Sequence, residues 1–323
     1  MELYKVIIIG CGNIGFRHFE GLLKVDLPLI IYVIDPNVEA LKKVEKYYEE
    51  SKSKEKICYM FETIQNIPDV IDLCIIATSS KFRLAVAESV LKMTTVKYLI
   101  LEKVLFQKVS DYHEMSFLLK KYDVKGCWVN CPLRTIPIFK ELKERIKTNE
   151  LTYHVEYNNF NIGCNSIHQL DVFSYLTNCL DVKIETSKLE SIIESKRKGY
   201  LEVLGTLTGY TNKGDKLIIS SGKQSSPDYF IKLIFNEEIW TIFPLMGKFI
   251  IENIHNNELI EKAFNYPKQS DITSLLLTDL LLLGKCSLSD YETSKKLHLI
   301  LIKNLNTFFS RVLGHEVIEC PIT

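Results

Sequence analysis

The stretch VIIIGCGNIG near the start of the chain constrains the fold more than any other. A run of β-branched residues ends at the first of three glycines, Gly10, Gly12 and Gly15, and an amphipathic segment follows. The first glycine permits a sharp strand-to-helix turn, the second lets the main chain approach a pyrophosphate, and the third allows close helix packing. We therefore predict a dinucleotide at the start of this helix, with Asn13 and Ile14 among its contacts. The alternative is a glycine turn in a Rossmann domain that binds nothing.

Strand and helix signals alternate over the first 130 residues. Short apolar runs such as PLIIYVID, VIDLCIIAT and VKYLILEK are separated by amphipathic segments such as KFRLAVAESVLK. Continuous apolar strands between amphipathic helices indicate a parallel sheet that is covered on both faces. The predicted class is α/β, with an N-terminal doubly wound Rossmann sheet.

The pattern changes after LRTIPIFKELKERI, where longer strand-like segments and frequent turn signals begin. Segments such as LEVLGTLTGY, DYFIKLIF and EIWTIFPL follow one another at hairpin-like spacing, which indicates an antiparallel sheet. We predict two domains: an NAD-binding Rossmann domain at 1–130, and at 131–323 an α+β domain with a large, mostly antiparallel open sheet. We expect the second domain to bind substrate and to form a homodimer or homotetramer through its sheet.

Charge and cysteine usage exclude some classes of partner. Forty basic and forty acidic side chains balance, which argues against a nucleic-acid binder that relies on a strong positive field. The nine cysteines include no C-x-x-C pair, and no further ligands flank the closest two, Cys127 and Cys131. We therefore predict no metal site, and reduced thiols in a cytosolic core.

No secretory signal pattern is visible at the N-terminus, so a cytoplasmic location is the expectation. The most apolar later stretch, ITSLLLTDLLLL, is too short to span a bilayer and contains Asp279. It is predicted to be a buried helix, and no membrane partner is expected.

The second strand ends at Asp35, twenty residues after Gly15. A carboxylate at this position can accept the ribose hydroxyls of the adenosine and would repel a 2′-phosphate. The sequence therefore predicts NAD as the cofactor rather than NADP.

Two further segments carry residues suited to chemistry. The fifth strand ends in LILEKV, which puts Glu102 and Lys103 at the sheet edge where ligands of open α/β sheets bind. Lys103 faces the cofactor there, or is an ordinary exposed lysine. In GCNSIHQLDVFSYL, a loop is expected before a helix on which His168 and Asp171 share a face. His168 points into a cleft, or is a capping or core histidine.

Taken together, these motifs resemble the glucose–fructose oxidoreductase/inositol dehydrogenase (Gfo/Idh/MocA) family. The matching segments, in chain order, are the glycine loop with His18, ATSS after the fourth strand, EKV after the fifth, NCPLRTIP after the sixth, and SIHQLD. The resemblance spans nearly the whole chain. The departures from the family motifs are Val104 for the proline of E-K-P, Cys164 for the aspartate four residues before His168, Ser79 and Ser80 for proline and asparagine, and Arg83 for a histidine.

The resemblance implies roles for individual residues. The catalytic set is Lys103, His168 and Asp171. The cofactor-binding set adds Thr78, Ser79, Glu102 and Asn130 to the glycine loop and Asp35. The substrate-binding set is Lys103, Arg134, Asn165 and His168.

The function expected from these roles is NAD-dependent hydride transfer at a hydroxyl-bearing carbon of a sugar, sugar nucleotide or cyclic polyol. The ending HEVIECPIT is similar to family members in bacterial surface-sugar pathways. His168 is expected to be the general base while Lys103 stabilises the alkoxide, or the two roles are reversed. Two alternatives stay open: a non-catalytic NAD- and sugar-binding sensor or structural partner, and a dehydrogenase for a non-sugar substrate such as a tetrapyrrole or a diol.

Overall fold

The computed structural model describes residues 3–51, 53, 55–147, 150–158, 161–222 and 229–323. Within these ranges the chain forms two compact units. The first unit comprises Met1–Phe106, Ser110–Asn130 and Pro267–Glu292, and the second comprises Gln107–Val109, Cys131–Tyr266 and Thr293–Thr323.

The first unit is built on a seven-stranded sheet with the order β16-β6-β5-β4-β1-β2-β3. Its strands are β1 (Tyr4–Ile9), β2 (Leu29–Ile34), β3 (Lys56–Phe61), β4 (Val70–Ile76), β5 (Thr95–Leu101), β6 (Gly126–Val129) and β16 (Ser289–Asp290). The helices between them are α1 (Asn13–Lys24), α2 (Val38–Ser51), α3 (Arg83–Met93) and α4 (Val109–Lys121). Strands β1 to β6 pair in parallel. The strand order reverses at β1, which is the switch point of a doubly wound Rossmann sheet.

A late segment of the chain returns to this unit. Helix α7 (Gln269–Leu283) packs on α1, and β16 adds an antiparallel edge strand to β6. A Cβ on Gly21 of α1 would lie 2.6 Å from the Cβ of Thr273, so only glycine lets the helices approach this closely. This contact gives a physical reason why 267–292 joins the first unit, whereas the two-domain division from sequence makes a single cut at residue 130.

The second unit is built on a nine-stranded sheet with the order β15-β14-β13-β12-β7-β11-β10-β8, with β9 also pairing with β10. Its strands are β7 (Thr152–Asn158), β8 (Lys183–Glu185), β9 (Leu189–Glu194), β10 (Leu201–Tyr210), β11 (Lys216–Gly222), β12 (Phe230–Phe235), β13 (Glu238–Phe243), β14 (Lys248–Asn253) and β15 (Leu259–Ala263). All pairs are antiparallel except β7 with β11.

Burial alternates along strands such as β12, because one face of this sheet carries the core. Helix α6 (Ile162–Thr177) packs on β10 and β11, and α5 (Pro137–Arg145) packs on α6. The last helix, α8 (Tyr291–Leu313), begins in the first unit and continues in the second. The predicted fold class, a Rossmann sheet followed by an α+β domain with a mostly antiparallel sheet, is confirmed.

Helix α7 contains the apolar stretch noted in the sequence. Ile272, Leu276 and Leu280 are buried in it, whereas Leu275 and Leu283 are exposed. The helix is therefore buried on one side only. Over the part of the chain that the structure describes, no helix combines the length and apolarity needed to cross a bilayer.

Candidate cofactor and substrate sites

The carboxyl ends of the parallel strands bring most of the predicted cofactor residues to one edge of the first unit. Hydrogen bonds continue the ladder one residue beyond the strands: Gly10 N–H donates to Ile34 O, Ala77 N–H to Ile9 O, Glu102 N–H to Ile76 O, and Asn130 N–H to Leu101 O. Following the strand order, the edge therefore presents Asp35, Gly10, the segment at Thr78, Glu102 with Lys103, and Asn130. Three strand spacings, about 14 Å, separate the ends of β2 and β5.

The three glycines of the turn have different geometric requirements. Gly10 has a φ of +86°, and a Cβ there would lie 2.9 Å from the backbone nitrogen of Thr78. A Cβ on Gly15 would overlap the carbonyl oxygen of Gly10. Around Gly12 no described atom lies within 4 Å of the Cβ position, so the surface there is open to a ligand. Asn13 and Ile14 begin helix α1 beside this opening and are exposed.

Asp35 is buried against the glycine turn. Its Oδ2 accepts a hydrogen bond of 2.5 Å from the Cys11 N–H, and its Oδ1 accepts one of 2.8 Å from the Asn37 N–H. Burial, together with the nearby Asp35 carboxylate, raises the pKa of the Cys11 thiol to about 12. A carboxylate has about four acceptor positions, so two backbone donors leave room for ribose hydroxyls.

A cavity of about 440 Å³ lies beside the turn, entirely within the first unit. This volume is in the range of small-molecule sites. Its lining is mainly apolar and consists of Ile9, Gly10, Ile34, Pro36, Glu62, Thr63, Ile64, Thr78, Phe82, Ala85, Val86 and Ser89. Among the described residues, the buried Oγ1 of Thr78 has no hydrogen-bond partner. Ser79, next in the chain, is half-buried, and its carbonyl accepts the Phe82 N–H.

Glu102 belongs to a buried polar network rather than to an open surface. Its Oε1 lies 2.8 Å from the His18 Nε2 and accepts a 2.5 Å hydrogen bond from the Asn130 Nδ2. The His18 Nδ1 lies 3.0 Å from the Thr273 Oγ1. Burial alone would raise the pKa of Glu102, but its hydrogen bonds to His18 and Asn130 and the charge of Arg83 lower it below the ordinary value. The carboxyl therefore stays ionised.

Lys103 follows this network directly and is half-buried. The peptide between Lys103 and Val104 is cis. Lys103 thus occupies the edge position that the sequence predicts, next to an ionised glutamate that is itself held by partners from α1 and the end of β6.

In the second unit, Arg134 and Asp171 form an ion pair. The Arg134 Nε donates to Asp171 Oδ2 at 2.8 Å, and its Nη2 donates to the carbonyl oxygen of Asp171 at 3.2 Å. The side chain of Asp171 is 1% exposed and that of Arg134 14%. The guanidinium also lies 5.1 Å from the centre of the Tyr175 ring. His168 lies one turn before Asp171 on the same helix and is half-buried.

The expected loop before His168 is wrong. Helix α6 begins at Ile162, so Gly163, Asn165 and Ser166 belong to its first turns. The Asn161 side chain does not cap this helix. Instead, the Cys164 N–H lies 3.3 Å from both carboxylate oxygens of Glu202, a buried residue of β10. A tertiary contact therefore satisfies the helix start that local sequence signals do not explain.

Sequence reasoning gave no role to three residues that organise these sites: His18, Arg83 and Glu202. His18 and Arg83 stand within family motifs, yet neither carries a local signal of its contacts. Glu202 lies in an ordinary strand pattern, and no local signal marks it. No group of three or more His, Cys, Asp or Glu residues suited to hold a metal occurs within the described ranges.

Residues 4–131 match a family model described as an oxidoreductase family with an NAD-binding Rossmann fold, Gfo/Idh/MocA. The resemblance inferred from the motifs is thereby confirmed over this segment. A search of curated protein sequences gave no match.

Solved structures with the same fold include enzymes and a regulator. An oxidoreductase from Agrobacterium radiobacter in complex with NAD⁺, L-tartaric acid and magnesium is 17% identical, covers 98% of each chain and has a TM-score of 0.73. UDP-N-acetylglucosamine 3-dehydrogenase GnnA from Acidithiobacillus ferrooxidans is 14% identical over 94% of this chain and 97% of its own, with a TM-score of 0.72. A super-repressor mutant of Gal80p from Saccharomyces cerevisiae is 12% identical over 97% of each chain, with a TM-score of 0.72. At these identities the likeness extends to the fold alone.

Proposed function

We propose that this protein is an NAD-dependent oxidoreductase. Hydride would pass between the nicotinamide and a hydroxyl-bearing carbon of a sugar, sugar nucleotide or cyclic polyol. The observation that carries the proposal is the order of groups along one sheet edge: Asp35, the glycine turn, Thr78 and Lys103. In that order an adenosine, a pyrophosphate and a redox-active ring would each meet a suitable group.

The residues of the first unit fit a dinucleotide. The opening at Gly12 and the N-terminus of helix α1 suit the pyrophosphate, and the unpaired Oγ1 of Thr78 offers a hydrogen bond. The Asp35 carboxylate would accept ribose hydroxyls and repel a 2′-phosphate, which favours NAD over NADP. When bound, the nicotinamide supplies the carbon that accepts or returns the hydride.

Lys103 and His168 are the residues to which we assign the proton chemistry. The Lys103 ammonium donates a hydrogen bond to the reacting oxygen and stabilises its developing negative charge. The imidazole of His168 takes the hydroxyl proton, a task that histidine side chains commonly perform as general bases. Arg134 and Asn165 contact the substrate, while the Asp171 carboxylate holds the Arg134 guanidinium.

The test is single-turnover reduction of bound NAD⁺ by a panel of sugars, sugar nucleotides, cyclic polyols and diols. The reduced-nicotinamide absorbance should appear with at least one carbohydrate. Lys103→Met and His168→Gln should each slow its appearance about 10²- to 10⁴-fold. Lys97→Met and His315→Gln, which alter exposed residues of the same types, serve as controls. If the pH dependence of the single-turnover rate disappears in His168→Gln but not in Lys103→Met, His168 is the base. If it disappears only in Lys103→Met, the two roles are reversed.

A second candidate function is a sensor that binds NAD and a sugar without turnover. The observation that favours it is Cys164, which stands where the family motif has an aspartate. A regulator, Gal80p, shares the fold. NAD⁺ binding by calorimetry, with no reduction across the whole panel, would support the sensor and contradict the oxidoreductase.

The cofactor preference has its own test. Asp35→Ala should weaken NAD⁺ binding about 10- to 100-fold, because charge-assisted hydrogen bonds to the ribose are lost. The difference in affinity between NAD⁺ and NADP⁺ should therefore become smaller. Titration with both cofactors measures this. A wild-type protein that already prefers NADP⁺ would show that our interpretation of Asp35 is wrong.

We also propose that the protein forms a homodimer or homotetramer through the nine-stranded sheet. Strand β15 is exposed along its whole length and carries Leu259 and Ile260, which are 66% and 42% exposed. Exposed apolar residues on an edge strand favour association. Sedimentation velocity should detect an oligomer that Leu259→Lys dissociates, whereas Leu275→Lys on helix α7 leaves it intact. A monomeric wild-type protein would contradict the proposal.

A further inference from the structure

Arg83 makes an unusual set of contacts within the first unit. It is the first residue of helix α3, and only 2% of it is exposed. Its Nη1 donates to the carbonyl oxygens of Val104 and Leu105, the latter at 2.7 Å, and its Nη2 donates to the carbonyl oxygen of Thr78. One guanidinium therefore joins two separate segments of main chain.

These contacts do not serve helix α3 itself. A cation in the first turn of a helix opposes the helix dipole, so Arg83 is not a favourable cap. Burying a guanidinium is costly unless its donors are satisfied. The planar fork of arginine can reach several carbonyls at once, which the single ammonium of lysine cannot do with the same geometry. The contacts thus require arginine and are directed at the loops.

The two segments that Arg83 joins are adjacent at the sheet edge. They follow β4 and β5, which pair in parallel up to Ile76 and Leu101. The first contains Thr78, beside the glycine turn. The second begins at Val104, the residue directly after Lys103. Both Val104 and Leu105 are fully buried, so their carbonyl groups have no access to bulk water.

Lys103 is therefore flanked by two buried anchors. Before it, Glu102 is held by His18 and Asn130. After it, the carbonyls of Val104 and Leu105 are held by Arg83. A lysine has a flexible four-carbon stem, so the position of its ammonium depends strongly on how firmly its own backbone is held.

We propose that Arg83 is a positioning residue, which ties the Thr78 segment to the main chain after Lys103 and so holds the Lys103 ammonium in place when a dinucleotide fills its site. The identity of the ligand in this proposal rests on the proposed function, whereas the contacts of Arg83 are observed in the structure. The charge of Arg83 also helps to lower the pKa of Glu102 on the other side of Lys103.

The experiment measures how fast the amine of Lys103 reacts with N-hydroxysuccinimide acetate, followed by peptide mass spectrometry. Lys97, an exposed lysine of β5, the strand that ends just before Lys103, is the internal reference. The variants are Arg83→Met, which loses the hydrogen bonds to Thr78, Val104 and Leu105, and Arg83→Lys, which keeps the charge. Arg311→Lys, an exposed arginine of α8, is the matched control. Circular dichroism establishes that each variant is folded.

Without cofactor, we expect labelling of Lys103 to be about tenfold faster in Arg83→Met than in the wild type, and to be intermediate in Arg83→Lys. Lys97 and the Arg311→Lys control should not change. NAD⁺ should slow the labelling of Lys103 at least about fivefold in the wild type and less than about twofold in Arg83→Met. The proposal is overturned if Lys103 in a folded Arg83→Lys or Arg83→Met protein is labelled at the same rate as in the wild type and is protected by NAD⁺ to the same extent.

The design separates this proposal from the proposed function. If NAD⁺ protects nothing in the wild type, the cofactor assignment fails, and the labelling rates without cofactor still test the role of Arg83. If a substrate is found, single-turnover rates complete a double-mutant cycle with Lys103→Met. If Arg83 acts by positioning Lys103, the rate loss in the double variant is much smaller than the sum of the losses, in activation free energy, of the two single variants. If the role of Arg83 is purely structural, the two losses add.

Discussion

Replacing Glu102 with glutamine should destabilise the first unit far more than the small chemical change suggests. The carboxylate is 5% exposed and bonds to His18 at 2.8 Å and Asn130 at 2.5 Å. Both partners bond the same oxygen, Oε1, so a glutamine amide can keep an oxygen there, but it carries no charge and puts an NH₂ donor at the buried Oε2 position. Losing the charge that strengthens these buried hydrogen bonds, and burying a donor at Oε2, should cost about 1 to 3 kcal/mol of the free energy of unfolding.

The assay is urea unfolding followed by tryptophan fluorescence. Trp128 lies in the first unit and Trp240 in the second, so single-tryptophan backgrounds report the two units separately. Glu88→Gln is the matched control, because its ion pair with Lys92 is exposed to solvent and contributes little to stability. A Glu102→Gln protein within about 0.5 kcal/mol of the wild type in the Trp128 transition would refute the reasoning.

The pH dependence of the same loss gives an independent check. The pKa of Glu102 in the folded protein lies below its ordinary value of 4.5, so the unfolded chain takes up the proton first as the pH falls. The stabilisation is complete above pH 4.5 and disappears as the pH falls through the folded pKa. The difference between wild type and Glu102→Gln should therefore shrink below pH 4.5, and a difference that grows there would contradict the sign of the shift.

Other substitutions test the contacts that organise the two units. Gly21→Val should lower the free energy of unfolding of the first unit by about 2 kcal/mol or more, because the valine side chain would overlap helix α7. Thermal unfolding measures this loss, and an unchanged melting temperature would contradict the close helix contact. Arg134→Ala should lower the free energy of unfolding of the second unit by about 3 to 5 kcal/mol, because it leaves the Asp171 carboxylate buried without its ion pair. If the double variant Arg134→Ala/Asp171→Asn regains stability, the unpaired carboxylate is the cause of the loss. Glu202→Gln should cost about 1 kcal/mol and increase hydrogen exchange at the Cys164 amide, whereas unchanged exchange would argue against tertiary capping of α6.

The glycine turn and the order of the elements were accessible from sequence because their signals are local. Gly10 adopts a positive φ and meets the backbone at Thr78, as the motif requires. Asp35 lies directly after β2 against the turn. Continuous apolar strands separated by amphipathic helices indicated the parallel sheet. The spacing of His168 and Asp171 predicted that both lie on one helix, as they do on α6.

The partners of the predicted site residues were not accessible in the same way. The sequence assigned Glu102 to the cofactor, and its observed partners His18 and Asn130 are 84 and 28 residues away. Asp171 was expected to orient the site, and in the fold it binds Arg134, 37 residues earlier. The start of α6 was missed because its capping carboxylate comes from Glu202, on a strand that follows the helix by more than twenty residues.

The sequence by itself therefore determined the elements, the turn that suits a dinucleotide, and the list of chemically suitable side chains. These depend on periodicity and on backbone requirements that span a few residues. Only the tertiary structure decided which of those side chains are buried and paired, that 267–292 joins the first unit, and that Arg83 joins two loops beside Lys103. The physical reason is that burial and ion pairing depend on residues brought together from distant parts of the chain, and no short stretch of sequence encodes them.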